Sequence, residues 1–195
     1  MKLLALRCPQ CDTWLKPQQL DVVLPCPTCH TAVLLQDTGL TTMPVTYAAP
    51  QDDTATVWLP FWRFQGKVHI DRRDTQGGGR SSERESAELW SLPRHFFVPA
   101  WELPAQRARE MGSRLVSRQP VFKTFEPSEP PLFQAATLTP DDAQKLLELI
   151  VLTIEANRSD WLKNLQFHLE LTPPELWALP ARPKRDDWDL IPAQA

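Results

Sequence analysis

Four cysteines carry the chemistry that this sequence offers most openly. They are all the cysteines of the 195-residue chain and stand as Cys8-Pro-Gln-Cys11 and Cys26-Pro-Thr-Cys29, two C-x-x-C pairs with fourteen residues between them. Each pair can wrap a tight turn about one ion, and the intervening residues can form a small hairpin that brings the second pair opposite. That is the pattern of a four-thiolate zinc site. Four protein ligands fill a tetrahedral shell and leave no position for water or substrate. The expected role is therefore structural: one zinc ion completes the folding of a segment too small to bury a core of its own. His30, next to Cys29, reads as an exposed turn residue, because the shell is already full.

Other thiol chemistries fit less well. A disulfide framework needs an oxidising compartment, and the opening Met-Lys-Leu-Leu-Ala-Leu-Arg has only four apolar residues before Arg7. That is too short for the apolar core of an export signal, so the expectation is a cytoplasmic protein. A thioredoxin-like pair opens a helix in a βαβ unit and occurs once, whereas here two copies are spaced as a pair. The segment LRCPQCDTWLKPQQLDVVLPCPTCHTAVLL resembles a zinc ribbon, with apolar residues leading into each cysteine turn and short strands leaving it. In that family glycine commonly follows the second cysteine of each pair. Here Asp12 and His30 stand there, two residue types that tolerate left-handed backbone angles better than most. Tetrahedral S₄ geometry also suits iron, as in rubredoxin, which makes an electron carrier one alternative; the ribbon resemblance favours zinc.

The rest of the chain must position this module. Hydrophobic residues make up 42% and charged residues 23% of the sequence, which is ordinary for a folded protein. The expected architecture is α+β: a zinc ribbon over 1–36, a linker over 37–53, a mixed domain over 54–180, and a proline-rich tail over 181–195. That mixed domain should hold short, mostly antiparallel strands with two or three helices. No apolar run is long enough for a membrane span. The net charge of −3 argues against a strongly basic nucleic-acid surface. Residues 1–36 hold Lys2, Arg7 and Lys16 against Asp12 and Asp21, too little to grip a phosphate backbone, so nucleic-acid association through the ribbon is the weaker alternative.

Within the mixed domain, the aromatic and β-branched density from Thr56 to Ile70 predicts a strand. Pro60 should confine it to an edge, a bulge or a strand start, and Gly66 should turn the chain back into a second strand over 67–71. The hydrophilic stretch with Gly77-Gly78-Gly79 among charges matches no phosphate-loop pattern and reads as a surface loop. Trp58-Leu59-Pro60-Phe61-Trp62 and Phe97-Val98-Pro99-Ala100-Trp101 share one pattern. The order of four-cysteine segment, linker and LPFW strand resembles a loose group of uncharacterised bacterial zinc-ribbon proteins, which brings no activity with it.

A helix is expected over 104–117, with Ala108, Met111 and Leu115 inward and Arg107, Arg109, Arg114 and Arg118 on solvated faces. A second should run over 140–156, with Thr139 as N-cap and Pro140 in the first turn. A short helix is expected around Trp161 and Leu162, and Leu165 to Leu171 alternates as a half-buried strand.

No catalytic constellation emerges. There is no spare cysteine, neither G-x-S-x-G nor H-E-x-x-H occurs, and His69, His95 and His168 lie in separate segments. No small-molecule substrate is indicated. The reading is a non-enzymatic interaction, scaffold or accessory subunit with a protein partner. Its candidate partner-binding residues are Trp58, Phe61, Trp62, Trp101, Leu149, Leu152 and Trp188, since tryptophan is enriched among interface anchors and two leucines sit toward the charged side of the 140–156 helix.

Overall fold

A computed structural model describes residues 6–77, 80–185 and 187–195. The export-signal reading rests largely on residues 1–5, and Gly78 and Gly79 belong to the surface-loop reading; all of these lie outside the described residues. The first half of the chain forms β1 (Val23–Pro25), β2 (Ala32–Gln36), β3 (Gly39–Met43), β4 (Val45–Ala48), β5 (Val57–Gln76), α1 (Arg80–Trp90) and β6 (Arg94–Pro99). The second half forms α2 (Ala105–Arg118), β7 (Thr124–Phe125), α3 (Pro140–Ala156), β8 (Trp161–Leu171), β9 (Glu175–Lys184) and β10 (Asp187–Leu190). The class is mixed α+β, with three helices among the described residues.

The 20-residue β5 is the spine of the larger sheet. Its first part pairs antiparallel with β9 and its last part with β8, while β6 covers Phe61–Gly66 from the other side. β8 and β9 follow one edge of β5 almost continuously: Leu171 pairs with Gly66, the Thr172 amide donates to the Gln65 carbonyl at 2.8 Å, and Glu175 pairs with Arg63. Pro173 and Pro174 mark the break, since neither can donate to a ladder. The sheet continues from β9 through the parallel β4 to β7.

Gly66 does not turn the chain. β5 runs straight through it because three strands meet there, and a Cβ at this position would lie 2.0 Å from the Glu170 carbonyl oxygen. Pro60 lies inside the strand rather than at an edge, just beyond the β6 ladder, where its carbonyl accepts from the Ala100 amide at 3.0 Å. There its missing N–H breaks no β6 pairing. The two aromatic-proline motifs are neighbours, with Phe61 opposite Pro99.

Residues 37–53, expected as a linker, carry strands in both sheets instead. β3 completes a small β1–β2–β3 sheet, and β4 enters the large one. The small sheet has no solvent face at its centre. Val23 and Ala32 belong to the main core, with Leu34 and Met43 packed on it, whereas Leu24 and Val33 join Cys8, Leu15 and Cys26 in a separate cluster. Adjacent strand residues point to opposite faces, so this sheet carries apolar side chains on both. Reciprocal bonds between Val23 and Ala136, at 3.1 and 2.7 Å, tie it to the body. The two expected cores are thus joined through Val23 and Ala32.

The described residues of the tail over 181–195 are also integral. β10 pairs with the end of β9, and the last residues thread between 49–51 and 121–123. Ala193 bonds Ala49 and Lys123, and the Ala195 amide reaches Val121. Two further expectations change. Arg80–Trp90 is a helix rather than loop; its buried residues Ser82, Ser86 and Trp90 are spaced one turn apart, and two of them are too polar to register as an apolar stripe. Trp161 and Leu162 begin β8 opposite Gln76 and Thr75 rather than forming a helix. The 140–156 helix forms as expected, with the Thr139 hydroxyl accepting from the Asp142 amide at 3.1 Å.

Candidate metal centre

The two cysteine turns are built alike. Asp12 and His30 both adopt φ of 58°, and their amides donate to the carbonyls of Cys8 and Cys26 at 2.9 and 3.0 Å. The Cys8 and Cys26 amides in turn reach the carbonyls of Thr13 and Thr31 at 2.8 and 2.9 Å. Each turn therefore folds back on itself, so that both cysteines of a pair point to one spot. The left-handed positions expected for Asp12 and His30 are present.

The four Sγ atoms lie within 4.8 Å of one another. Cys8 Sγ stands 3.6 Å from Cys29 Sγ, and Cys11 Sγ 3.5 Å from Cys26 Sγ. Sulfurs at tetrahedral corners around an ion with ~2.3 Å bonds are about 3.8 Å apart, so the donor set could hold one metal ion with little movement. Cys8 and Cys26 are buried, while Cys11 is exposed. The two threonines repeat in the sequence as C-P-x-C-x-T, a regularity that marks them as supports. Thr13 Oγ1 is 3.3 Å from Cys11 Sγ and Thr31 Oγ1 is 3.4 Å from Cys29 Sγ.

Electrostatics divides the thiols. Burial pushes Cys8 up to about 12, whereas the hydroxyl and amide of Thr13 bring Cys11 down to about 6. At Cys29 burial acts upward, but the hydroxyl and amide of Thr31 outweigh it and the thiol is lowered. Four thiolates this close repel one another, and a divalent cation is what lets all of them ionise together. His30 is no ligand; its Nδ1 lies 2.5 Å from the Pro130 carbonyl and links the module to the body. Arg7 braces the first turn, bonding Asp12 Oδ2 at 2.7 Å while lying 4.2 Å above the Trp14 ring.

The candidate partner-binding residues scatter. Phe61, Trp62 and Trp101 are 0%, 1% and 4% exposed, so these three fill the core and offer no docking surface. Phe61 meets Trp101 edge-on at 5.2 Å, and Trp62 Nε1 donates to the Leu138 carbonyl at 2.7 Å. Trp58 packs partly buried on the main core and Trp188 on the second cluster. Leu149 and Leu152 remain 45% and 41% exposed.

Two assemblies are absent from the linear motifs. His69 and His168 are cross-strand partners with rings stacked 4.7 Å apart, each beside a carboxylate, Glu170 and Asp71 respectively. A buried ionic network joins α1, β5, the end of α3 and the turn that leads from α3 into β8. Glu155, 0% exposed, accepts from Trp90 Nε1 and Arg73 Nε at 2.8 Å each and from Arg158 at 2.7 and 2.9 Å. Arg73 also grips Asp160 through both terminal nitrogens at 2.6 and 2.8 Å. Burial acts to raise Glu155, but hydrogen bonds from Arg158, Trp90, Arg73 and Ser86 outweigh it and hold it below the usual carboxylate range. The Arg73 bond does the same for Asp160. Two buried acids and two guanidiniums balance, with the exposed Glu85 a further 3.6 Å partner of Arg158, which suits a structural clamp.

Among the described residues, no helix is long and apolar enough to cross a membrane. Comparison with protein-family models, with curated proteins and with solved structures gives no match to this chain.

Proposed function

We propose that the four-cysteine site holds zinc in a ribbon-like module and that the ion's role is structural, in a protein acting as an interaction or accessory subunit. One observation carries the reading: four converging Sγ atoms within 4.8 Å, which leave a tetrahedral ion no open position for chemistry. The support around the site points the same way. The module shares Val23 and Ala32 with the main core, and His30 reaches Pro130, so a bound ion would be coupled to the stability of the body. Leu149 and Leu152, exposed on α3, are the apolar positions that a protein partner would cover. Elemental analysis of protein produced with zinc and iron both available should find one zinc per chain. A red, iron-loaded and redox-active sample would replace this reading with that of an electron carrier.

A further inference from the structure

A cleft of about 700 Å³ opens between α2 and the β9–β10 hairpin. One wall is an arginine stripe. At 100° per residue Arg107, Arg114 and Arg118 fall within about 40° of arc and extend about 16 Å along the helix. The facing wall carries Lys184 and Arg185, the latter at the hairpin turn with φ of 51°. Arg114, Arg118, Lys184 and Arg185 are exposed, and none of the four forms an ion pair with a described residue. Asp189, the one acid among the described lining residues, is already engaged by Arg182 at 2.9 and 3.2 Å. Between the walls Met111, Leu115, Phe122 and Leu190 form an apolar floor continuous with the second core cluster.

The chain has 24 acids and 21 bases, so this concentration of cations opposes its overall charge. A solvated helix face accounts for the α2 stripe but not for two cations brought against it from β9 and the turn. Low-dielectric walls around such a site focus its field on an anion. Guanidinium forks match phosphate oxygens two at a time, and an apolar floor accepts a flat ring. The volume is that of an ordinary small-ligand site.

We propose that this cleft binds phosphorylated ligands that carry an aromatic base, whether a free nucleotide or the nucleotides of a single strand.

The test titrates the full metal-loaded chain with ATP, a short oligothymidylate, inorganic pyrophosphate and polyglutamate at low ionic strength, following tryptophan fluorescence and calorimetric heat. Saturable binding of ATP or of the oligothymidylate is expected, and whichever is tighter identifies the source. The double variant R114A/R118A, with an unchanged melting temperature, should weaken that binding at least about tenfold and flatten its salt dependence. Arg84→Ala, an exposed cation on α1, should leave it unaltered. The proposal fails if neither nucleotide probe saturates, or if the double variant binds as tightly as the parent. It also fails if pyrophosphate or polyglutamate binds as well as the nucleotide probes, since the floor would then contribute nothing.

Discussion

The four-cysteine site and the Arg73–Glu155–Asp160–Arg158 network both take charge out of water, by opposite means. The first gathers four groups of one kind, which ionise together only beside a cation from outside; the second pairs two buried carboxylates with two guanidiniums, with Glu85 3.6 Å from Arg158 at its exposed rim. Their reach differs too. The cysteines converge through two local turns within residues 8–29, whereas the network draws on α1, β5, the end of α3 and the turn between α3 and β8. A site made of like charges is conditional on its ligand. A site made of opposite charges is conditional on the whole fold.

The largest test of that contrast is Cys26→Ser. Structural zinc is worth roughly 10–16 kcal/mol in small modules, as much as a whole domain's stability, so the module should unfold. Because Val23 and Ala32 also belong to the main core, the body should lose melting temperature as well. Calorimetry showing an unchanged transition for the rest of the chain would separate the two regions after all.

Glu155→Ala comes next, with an expected cost of about 3–5 kcal/mol in denaturant titration, because Arg73 and Arg158 would be left buried without their partner. Replacing all four charged residues by apolar ones of similar volume should recover most of that loss. If the four-fold variant were as unstable as the single one, the network would be doing more than balancing its own charges.

Acid sharpens the comparison more gently. Glu155 and Asp160 are lowered in the folded state, so their stabilisation is full above the ordinary carboxylate values near pH 4 and is lost as pH falls through the folded ones. The contribution of these two carboxylates should be flat above about pH 5 and decline below it. The indole proton of Trp90, bonded to Glu155 at 2.8 Å, should shift in the same window. A Trp90 resonance unmoved through acid unfolding would contradict the coupling.

The smallest effect is expected of Leu152→Glu. At 41% exposure the side chain should tolerate charge with a stability change within about 0.5 kcal/mol. Its effect should fall on co-purifying protein instead, and unchanged assembly together with unchanged stability would remove α3 from the partner surface.

Much of the metal site was readable in order along the chain because its determinants are local. The C-x-x-C turns, the left-handed Asp12 and His30, and the capped helix beginning at Pro140 each depend on residues a few positions apart. The network was not readable, because Arg73, Trp90 and Glu155 share no spacing; only the pairing of β5 with β8 and the packing of α1 brings them together. Gly66 shows the same limit, since a glycine suits a turn in sequence while here it serves a three-strand contact that only the fold creates. Local turn chemistry and helical periodicity sufficed for the four convergent cysteines, the α+β class and the two longer helices. Tertiary structure alone decided that the module shares a core with the body, that Phe61, Trp62 and Trp101 are interior, and that α2 faces a second wall of cations. The reason is physical: burial and charge pairing depend on which distant surfaces meet, and strand pairing over long separations sets that.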